Sequence, residues 1–200
     1  MNVAALMKAG RTPRDLFPWN KGQKLNACLS PDGDAFLFDV CLHGLHLVDF
    51  PLTGYGGYTV MDDSDRELKR HLQGVKHATG RVLKTGLGFG CFVRMCLTKP
   101  DVEHIDVVEI NRGIIDHFGA QFQDDPRVTI HHADAFEFDP AGREWDFGWH
   151  DIYTEGNEGL AFAHVRLIKR FLSRCKQQGA WQLPRETKKY VERHWPGLVV

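Results

Sequence analysis

The sequence predicts a three-layer α/β/α fold around a mostly parallel sheet, and three observations carry the prediction. From residue 81 onward, strand-like and helix-like segments alternate, which is the pattern of βαβ units. The first of those strands, "RVLKT", runs straight into Gly86-Leu87-Gly88-Phe89-Gly90. The second, "HIDVVEI", carries Glu109 near its end, 23 positions after Gly86 (109 minus 86).

Each element follows from its local pattern. Residues 1–34 are rich in Gly, Pro, Asn and Lys and read as an irregular arm; "AFLFDV" and "LHLVDF" flank "CLHG" as a small β-hairpin. Residues 1–57 are therefore assigned to an arm and hairpin, and 58–200 to the α/β unit. In "MDDSDRELKRHLQGV", Ser64 and Glu67 have capping-box spacing, so a helix starts there and runs to about Val75. After "RVLKT" come a helix in "CFVRMCLTK", the strand "HIDVVEI", a helix in "RGIIDHFGAQF", and the strands "RVTIHH" and "DFGWHDI". A long helix over "EGLAFAHVRLIKRFLSRCK" and a fifth strand at "GAWQL" follow. The remaining "PRETKKYVERHWPGLVV" has room for one helix and one short strand. Alternation in the fourth strand sends Trp145, Phe147 and Trp149 to one face.

Composition narrows the class. Lys and Arg number 25 against 26 Asp and Glu, so the chain as a whole offers no charge reason to favour a nucleic acid or an acidic membrane. Five cysteines without a CxxC pair fit neither a disulfide framework nor a zinc ribbon, and reduced thiols in cytoplasm are the simple reading. No apolar run is long enough for a signal-peptide core or a bilayer span, so a soluble intracellular protein is expected. His43, His46, His131 and His132 lack carboxylate or thiol partners at ligand spacing, and no metal site is predicted.

In a parallel α/β sheet, ligands bind beyond the carboxyl ends of the strands, so the residues just after each strand matter most. Glycines at 86, 88 and 90 can take positive φ and let a ligand approach the backbone N–H groups; the alternative is a plain tight turn. Glu109 can accept hydrogen bonds from both hydroxyls of a ribose, or else is a solvated strand-end charge. Asp134 can accept from the amino group of an adenine with Ala135 and Phe136 walling the ring, or else caps a helix. Cys91 stands where a GxGxxG dinucleotide fingerprint needs its third glycine, and no GxxxxGK[ST] motif exists.

Taken in order, GxGxG, "DVVEI", "DPRVTIHHADAFEF" and "WDFGWHDIY" resemble the class I S-adenosylmethionine-dependent methyltransferase superfamily, most closely its spermidine-synthase-like branch, over about residues 58–183. The resemblance implies a Rossmann-like fold with strand order 3-2-1-4-5, truncated or differently covered after the fifth strand. It implies S-adenosylmethionine as cofactor, with Gly86, Leu87, Gly88 and Gly90 at the methionyl part, Glu109 and Ile110 at the ribose, and Asp134 and Ala135 at the adenine. It further implies a transferase whose catalytic candidates are Asp151, His150 and Tyr153. Asp151 would orient an attacking amine; His150 would take a proton or be an inward core histidine; Tyr153 would wall an acceptor pocket.

Aminopropyltransferases of that branch carry an acid inside the glycine loop and a second aspartate after the catalytic one, where this chain has Phe89 and Thr154. Methyl transfer to an amine or other small molecule is therefore the leading expectation, with aminopropyl transfer and a catalytically inactive nucleoside-binding protein as alternatives. "GYGGY" at 54–58 is a candidate lid carrying Tyr55 and Tyr58, or a simple connector. The basic residues Arg166, Lys169, Arg170, Arg174, Lys188, Lys189 and Arg193 read first as a solvated helix face, and a nucleic acid is the less favoured partner. No membrane is expected as partner, and a second subunit is one candidate cover for the sheet edge.

Overall fold

A computed structural model describes residues 28–29, 35–41, 44–50, 58–62, 65–152 and 160–198, with side chains described for 68–152 and 162–198. The arm outside Cys28–Leu29, Ser64 of the capping box, Tyr55 and the rest of 54–57, and Tyr153 lie outside the described residues.

The amino-terminal strands β1 (Cys28–Leu29), β2 (Ala35–Cys41), β3 (Gly44–Phe50) and β4 (Tyr58–Asp62) form an antiparallel sheet in sequential order. β2 and β3 pair from Ala35↔Phe50 to Cys41↔Gly44, the hairpin expected around "CLHG". β4 extends it by pairing with β3, with a register shift at Leu47/Val48; no strand was expected at Tyr58–Asp62.

The second sheet orders its strands β7-β6-β5-β8-β9, and every pairing is parallel. Here β5 is Gly80–Thr85, β6 Val102–Glu109, β7 Val128–His132, β8 Trp145–His150 and β9 Cys175–Ala180. Counted from β5 this is the predicted order 3-2-1-4-5, a Rossmann-like α/β fold. Helices α1 (Asp65–His77) and α2 (Cys91–Leu97) cover one face. There Leu68, Val75, Phe92 and Met95 pack with Val82, Ile105, Val107, Phe147 and Trp149 from the strands. On the other face α4 (Leu160–Arg170) sets Leu167 against Leu83, Val108 and Phe138, and α5 (Arg185–His194) packs through Val191 on Ile168. Among the described residues no helix is long and apolar enough to cross a membrane.

The structure corrects four local expectations. The long helix ends at Arg170 rather than Lys176, and the fifth strand is Cys175–Ala180 rather than "GAWQL". Phe171 and Cys175 turn into the core through Cys175 N–H donating to Phe171 O at 2.9 Å. The polar run "CKQQGA" hides the strand in the sequence because Gln178 is buried for hydrogen bonding rather than for apolar packing. The helix after β6 is not uniform: α3 (Arg112–Ile114) loosens into a π turn (Ile115–Gly119) and tightens into a 3-10 turn (Ala120–Phe122). Trp145 does not share the face of Phe147 and Trp149. At the first residue of β8 its indole swings to the α4 side, donating to Asp106 Oδ2 at 2.8 Å and packing edge-on against Phe171.

After α5 no further strand is present among the described residues. Leu198 O accepts from Gln178 N at 2.6 Å, a single bond onto the edge strand β9.

Candidate functional site

Strand order reverses between β5 and β8, so the carboxyl ends of these two strands splay apart and open a crevice. The glycine turn rises from β5 at that point. Gly86 (φ +80°) must be glycine for two reasons: its backbone is left-handed, and a Cβ would collide with the Asp151 carbonyl oxygen. β5 and β8 are tied immediately below by Asp151 N–H donating to Thr85 O at 3.0 Å. Gly90 (φ +76°) precedes α2, and a Cβ there would lie 2.5 Å from Phe122. Phe89 is fully buried beneath the loop, edge-on to Phe118 with ring centroids 4.9 Å apart, so its side chain belongs to the core.

Glu109 ends β6 with only 6% of its surface exposed. Its Oε2 accepts from Leu87 N–H at 2.7 Å and its Oε1 from Asn111 N–H at 2.8 Å, so the carboxylate straps the glycine loop to the next strand. Burial pushes its pKa above the ordinary range, and the N–H donors of Leu87 and Asn111 counter part of that rise. Ile110 N–H also faces the carboxylate, so backbone donors of the loop and of the strand end hold it in place at the carboxyl edge. Ile110 beside it is 59% exposed, an apolar flank at the strand end. Asp134 follows β7 and uses Oδ1 to cap its own turn, accepting from Phe136 N–H at 2.8 Å, while Ala135 is buried on the α4 side. These residues, with the bare backbone at Gly86 and Gly88, fit a nucleoside bearing an amino-acid tail.

Asp151 follows β8 and centres a polar cluster that sequence reasoning saw only in part. Lys84, on β5, has 1% of its side chain exposed, against 22% for Asp151, and its ammonium lies 3.0 Å from Asp151 Oδ2. The same ammonium donates to Thr85 O at 3.1 Å and Asp151 O at 3.4 Å, which satisfies all three of its N–H groups. Burial opposes ionisation of Asp151, but the ammonium of Lys84 and the neighbouring His71 outweigh it and hold the carboxyl below the usual range. His71, from α1, sets Nδ1 3.9 Å from Asp151 Oδ2, and burial lowers its pKa to about 4. His164 enters from α4 on the opposite face; burial lowers it to about 4, and neither ring nitrogen has a hydrogen-bond partner. A lysine directly after Val82 and Leu83, near the end of a strand expected to be buried, is the one signal that could have exposed this cluster in advance. The histidines could not be found that way, because each is one polar residue on the buried stripe of an amphipathic helix.

His150 is fully buried, and its Nε2 lies 2.8 Å from Gln178 Oε1 while its Nδ1 lies 3.1 Å from the Thr85 hydroxyl. Since Gln178 donates its amide N–H to Ile168 O, its oxygen accepts, and His150 carries its proton on Nε2. Burial drops its pKa to about 3. It is a satisfied core histidine in this arrangement, braced between β5 and β9. His131, set aside as a metal ligand, instead lies 2.8 Å from Asp106. Among the described residues no group of three or more His, Cys, Asp or Glu could hold a metal ion.

No protein-family model matches the chain, and no curated protein matches it. Solved structures similar to it include spermidine synthase from Thermotoga maritima, at 19% identity and a TM-score of 0.48. That alignment covers 62% of this chain and 46% of the synthase, less than half its length. A spermidine synthase in complex with the transition-state analogue AdoDATO aligns with the same coverage, identity and score. A protein from Pyrococcus horikoshii described as an RNA methyltransferase aligns at 12% identity and a TM-score of 0.49, over 65% of this chain and 66% of its own. Likeness at this level leaves the reaction and substrate to be argued from the chain's own residues.

Proposed function

We propose that the chain is a transferase that binds S-adenosylmethionine across the carboxyl ends of β5, β6 and β7 and passes its methyl group to an amine held at Asp151. The observation that carries the reading is Glu109: a buried carboxylate that closes the second strand at the carboxyl edge and is bonded to the glycine loop through Leu87 N–H. When bound, the cofactor supplies a methyl carbon made electrophilic by its sulfonium. Gly86 and Gly88 leave room for the methionyl tail; Leu87 belongs to the same loop; Ile110 and Ala135 flank the sugar and purine, and Asp134 Oδ2 takes the adenine amino group.

On the acceptor side, Lys84 keeps Asp151 ionised and makes it a weak base. Its task is to orient a neutral amine through an N–H···O bond, so that the nitrogen lone pair faces the methyl carbon. Attack by the neutral amine breaks the sulfonium–methyl bond and leaves a methylated ammonium, which loses its extra proton to solvent, because burial holds the unpartnered His164 near 4 and makes it too weak a base to take it. His150 acts indirectly, by fixing Thr85 and the strand beneath Gly86. Tyr153 remains a proposed wall of the acceptor pocket. Because Phe89 points into the core, the glycine loop has no acid at that position for the purely cationic tail of decarboxylated S-adenosylmethionine, and methyl transfer is preferred to aminopropyl transfer.

Calorimetry with the two nucleosides tests this. Intact S-adenosylmethionine should bind more tightly than its decarboxylated form, and Glu109→Gln should weaken binding about tenfold or more. Preference for the decarboxylated form would move the assignment to aminopropyl transfer, and an unchanged Glu109→Gln would overturn the ribose role. Methyl transfer to a panel of primary amines, followed by mass spectrometry, should vanish in Asp151→Ala. Binding without transfer by the native chain would leave a nucleoside-binding protein.

A further inference from the structure

The near-neutral total charge conceals a sharp partition. Residues 160–200 carry nine Lys or Arg against two Asp or Glu, a net of +7, while residues 1–159 carry sixteen against twenty-four. Between Glu158 and Glu186 there is no acidic residue, and Arg166, Lys169, Arg170, Arg174, Lys176 and Arg185 all fall there.

The fold converts that run into a surface. His164, Leu167, Ile168 and Phe171 are buried, so α4 spends its apolar stripe on the sheet. Its opposite face presents Phe162, 77% exposed, followed at helical spacing by the exposed Arg166, Lys169 and Arg170. Because β8 and β9 are parallel, the connecting α4 runs against them, and its first turn stands at the carboxyl edge of the sheet where the crevice opens. The stripe is physically joined to that crevice. The Arg166 guanidinium lies 4.4 Å from the ring centroid of Phe136, in the turn capped by Asp134, and Arg170 donates to Phe138 O at 2.9 Å. At its other end Lys169 lies 5.8 Å from the Trp195 ring, and α5 continues with Arg185, Lys189, Arg193 and an exposed Tyr190 tilted against His194 with ring centroids 4.1 Å apart.

Exposed rings set among guanidinium and ammonium groups match a polyanion whose bases are free to stack. A membrane-binding helix would instead keep a broad apolar face for lipid, and here that face is already buried. We infer that the outer face of α4, continued by α5, binds single-stranded nucleic acid and offers one unstacked base, through Phe162, to the crevice. That the base is then the amine acceptor rests on the transfer reaction proposed above; the binding surface does not.

The test is fluorescence anisotropy of a labelled single-stranded RNA of roughly a dozen nucleotides, titrated with the full chain at about 50 and about 200 mM salt. Binding should weaken steeply with salt. The triple variant Lys169→Gln, Arg174→Gln, Arg193→Gln should flatten the log–log slope by about 0.7 per charge removed, and Phe162→Ala should cost about tenfold through lost stacking. Calorimetric binding of S-adenosylhomocysteine should be unchanged in both variants. Absence of RNA binding by the folded chain at the lower salt overturns the inference. So does an unchanged Phe162→Ala accompanied by equal competition from heparin, which would mean bulk polyanion attraction. Salt-sensitive self-association in light scattering without RNA binding also overturns it, assigning the basic face to the acidic part of a second copy. RNA binding without S-adenosylhomocysteine binding sinks the cofactor reading alone, and the reverse result sinks the surface alone.

Discussion

Substituting Lys84 by Met isolates the electrostatic centre of the site. The ammonium is nearly inaccessible and makes three short contacts, two of them to Asp151. Its loss strands a carboxylate in surroundings built for a pair. Removing one partner of a buried ion pair costs about 3–5 kcal/mol, and because Asp151 is 22% exposed some of that is recovered by hydration, so about 3 kcal/mol is expected at neutral pH. The pH dependence gives the cause. In the native chain Asp151 has a depressed pKa, so its stabilisation is present above the unfolded value of about 3.9 and is lost as pH falls through the lower folded value. Without Lys84, burial dominates and the folded pKa lies above the unfolded one. The variant is then penalised at high pH and relieved on acidification. Urea denaturation followed by tryptophan fluorescence, at neutral pH and near pH 5, reads both effects. The double variant Lys84→Met, Asp151→Asn should regain most of the loss, to within about 1 kcal/mol of native. A single variant as stable as native at neutral pH, or a double variant no better than the single, would refute the account.

Three further outcomes follow from the geometry. Asp106→Asn replaces a buried carboxylate on β6 that is shared by Arg81 of β5, His131 of β7 and Trp145 of β8, and should cost about 3 kcal/mol. Burial works against the Asp106 charge, but the hydrogen bonds from His131 and Trp145 win and depress its pKa, so the native-to-variant difference in urea midpoint should persist down to acid pH and close below the ordinary aspartate range. Gly86→Ala combines a left-handed backbone with a clash against the Asp151 carbonyl, and should lower the thermal midpoint while reducing nucleoside binding by calorimetry more than Gly142→Ala, where a Cβ meets nothing within 4 Å. Cys91, Cys96 and Cys175 are buried thiols outside any disulfide, with burial pushing Cys175 up to about 12 and Cys96 higher still, so none should react with a thiol reagent until the chain unfolds.

The sequence by itself determined the scaffold: short strand-like runs in "RVLKT" and "HIDVVEI", amphipathic helices between strands, and glycines where the first strand turns are local properties, and local rules are enough to read them. The same is true of Glu109 and Asp134, whose positions after strands fix them at the carboxyl edge before any packing is known. It went astray where a residue's role depends on a partner far along the chain. "CKQQGA" looks helical and polar because Gln178 is buried to serve His150, 28 residues away; Trp145 breaks alternation because its indole N–H is satisfied only by Asp106, 39 residues away. Lys84 and Asp151 are 67 residues apart and meet only because β5 and β8 pair in parallel. Tertiary structure alone decided that this lysine is buried and paired, that His71 and His164 flank the carboxylate from opposite layers, and that the basic residues of α4 lie on one outward face. Burial makes such choices, because only desolvation and an opposite charge at contact distance turn a surface-type residue into part of a core.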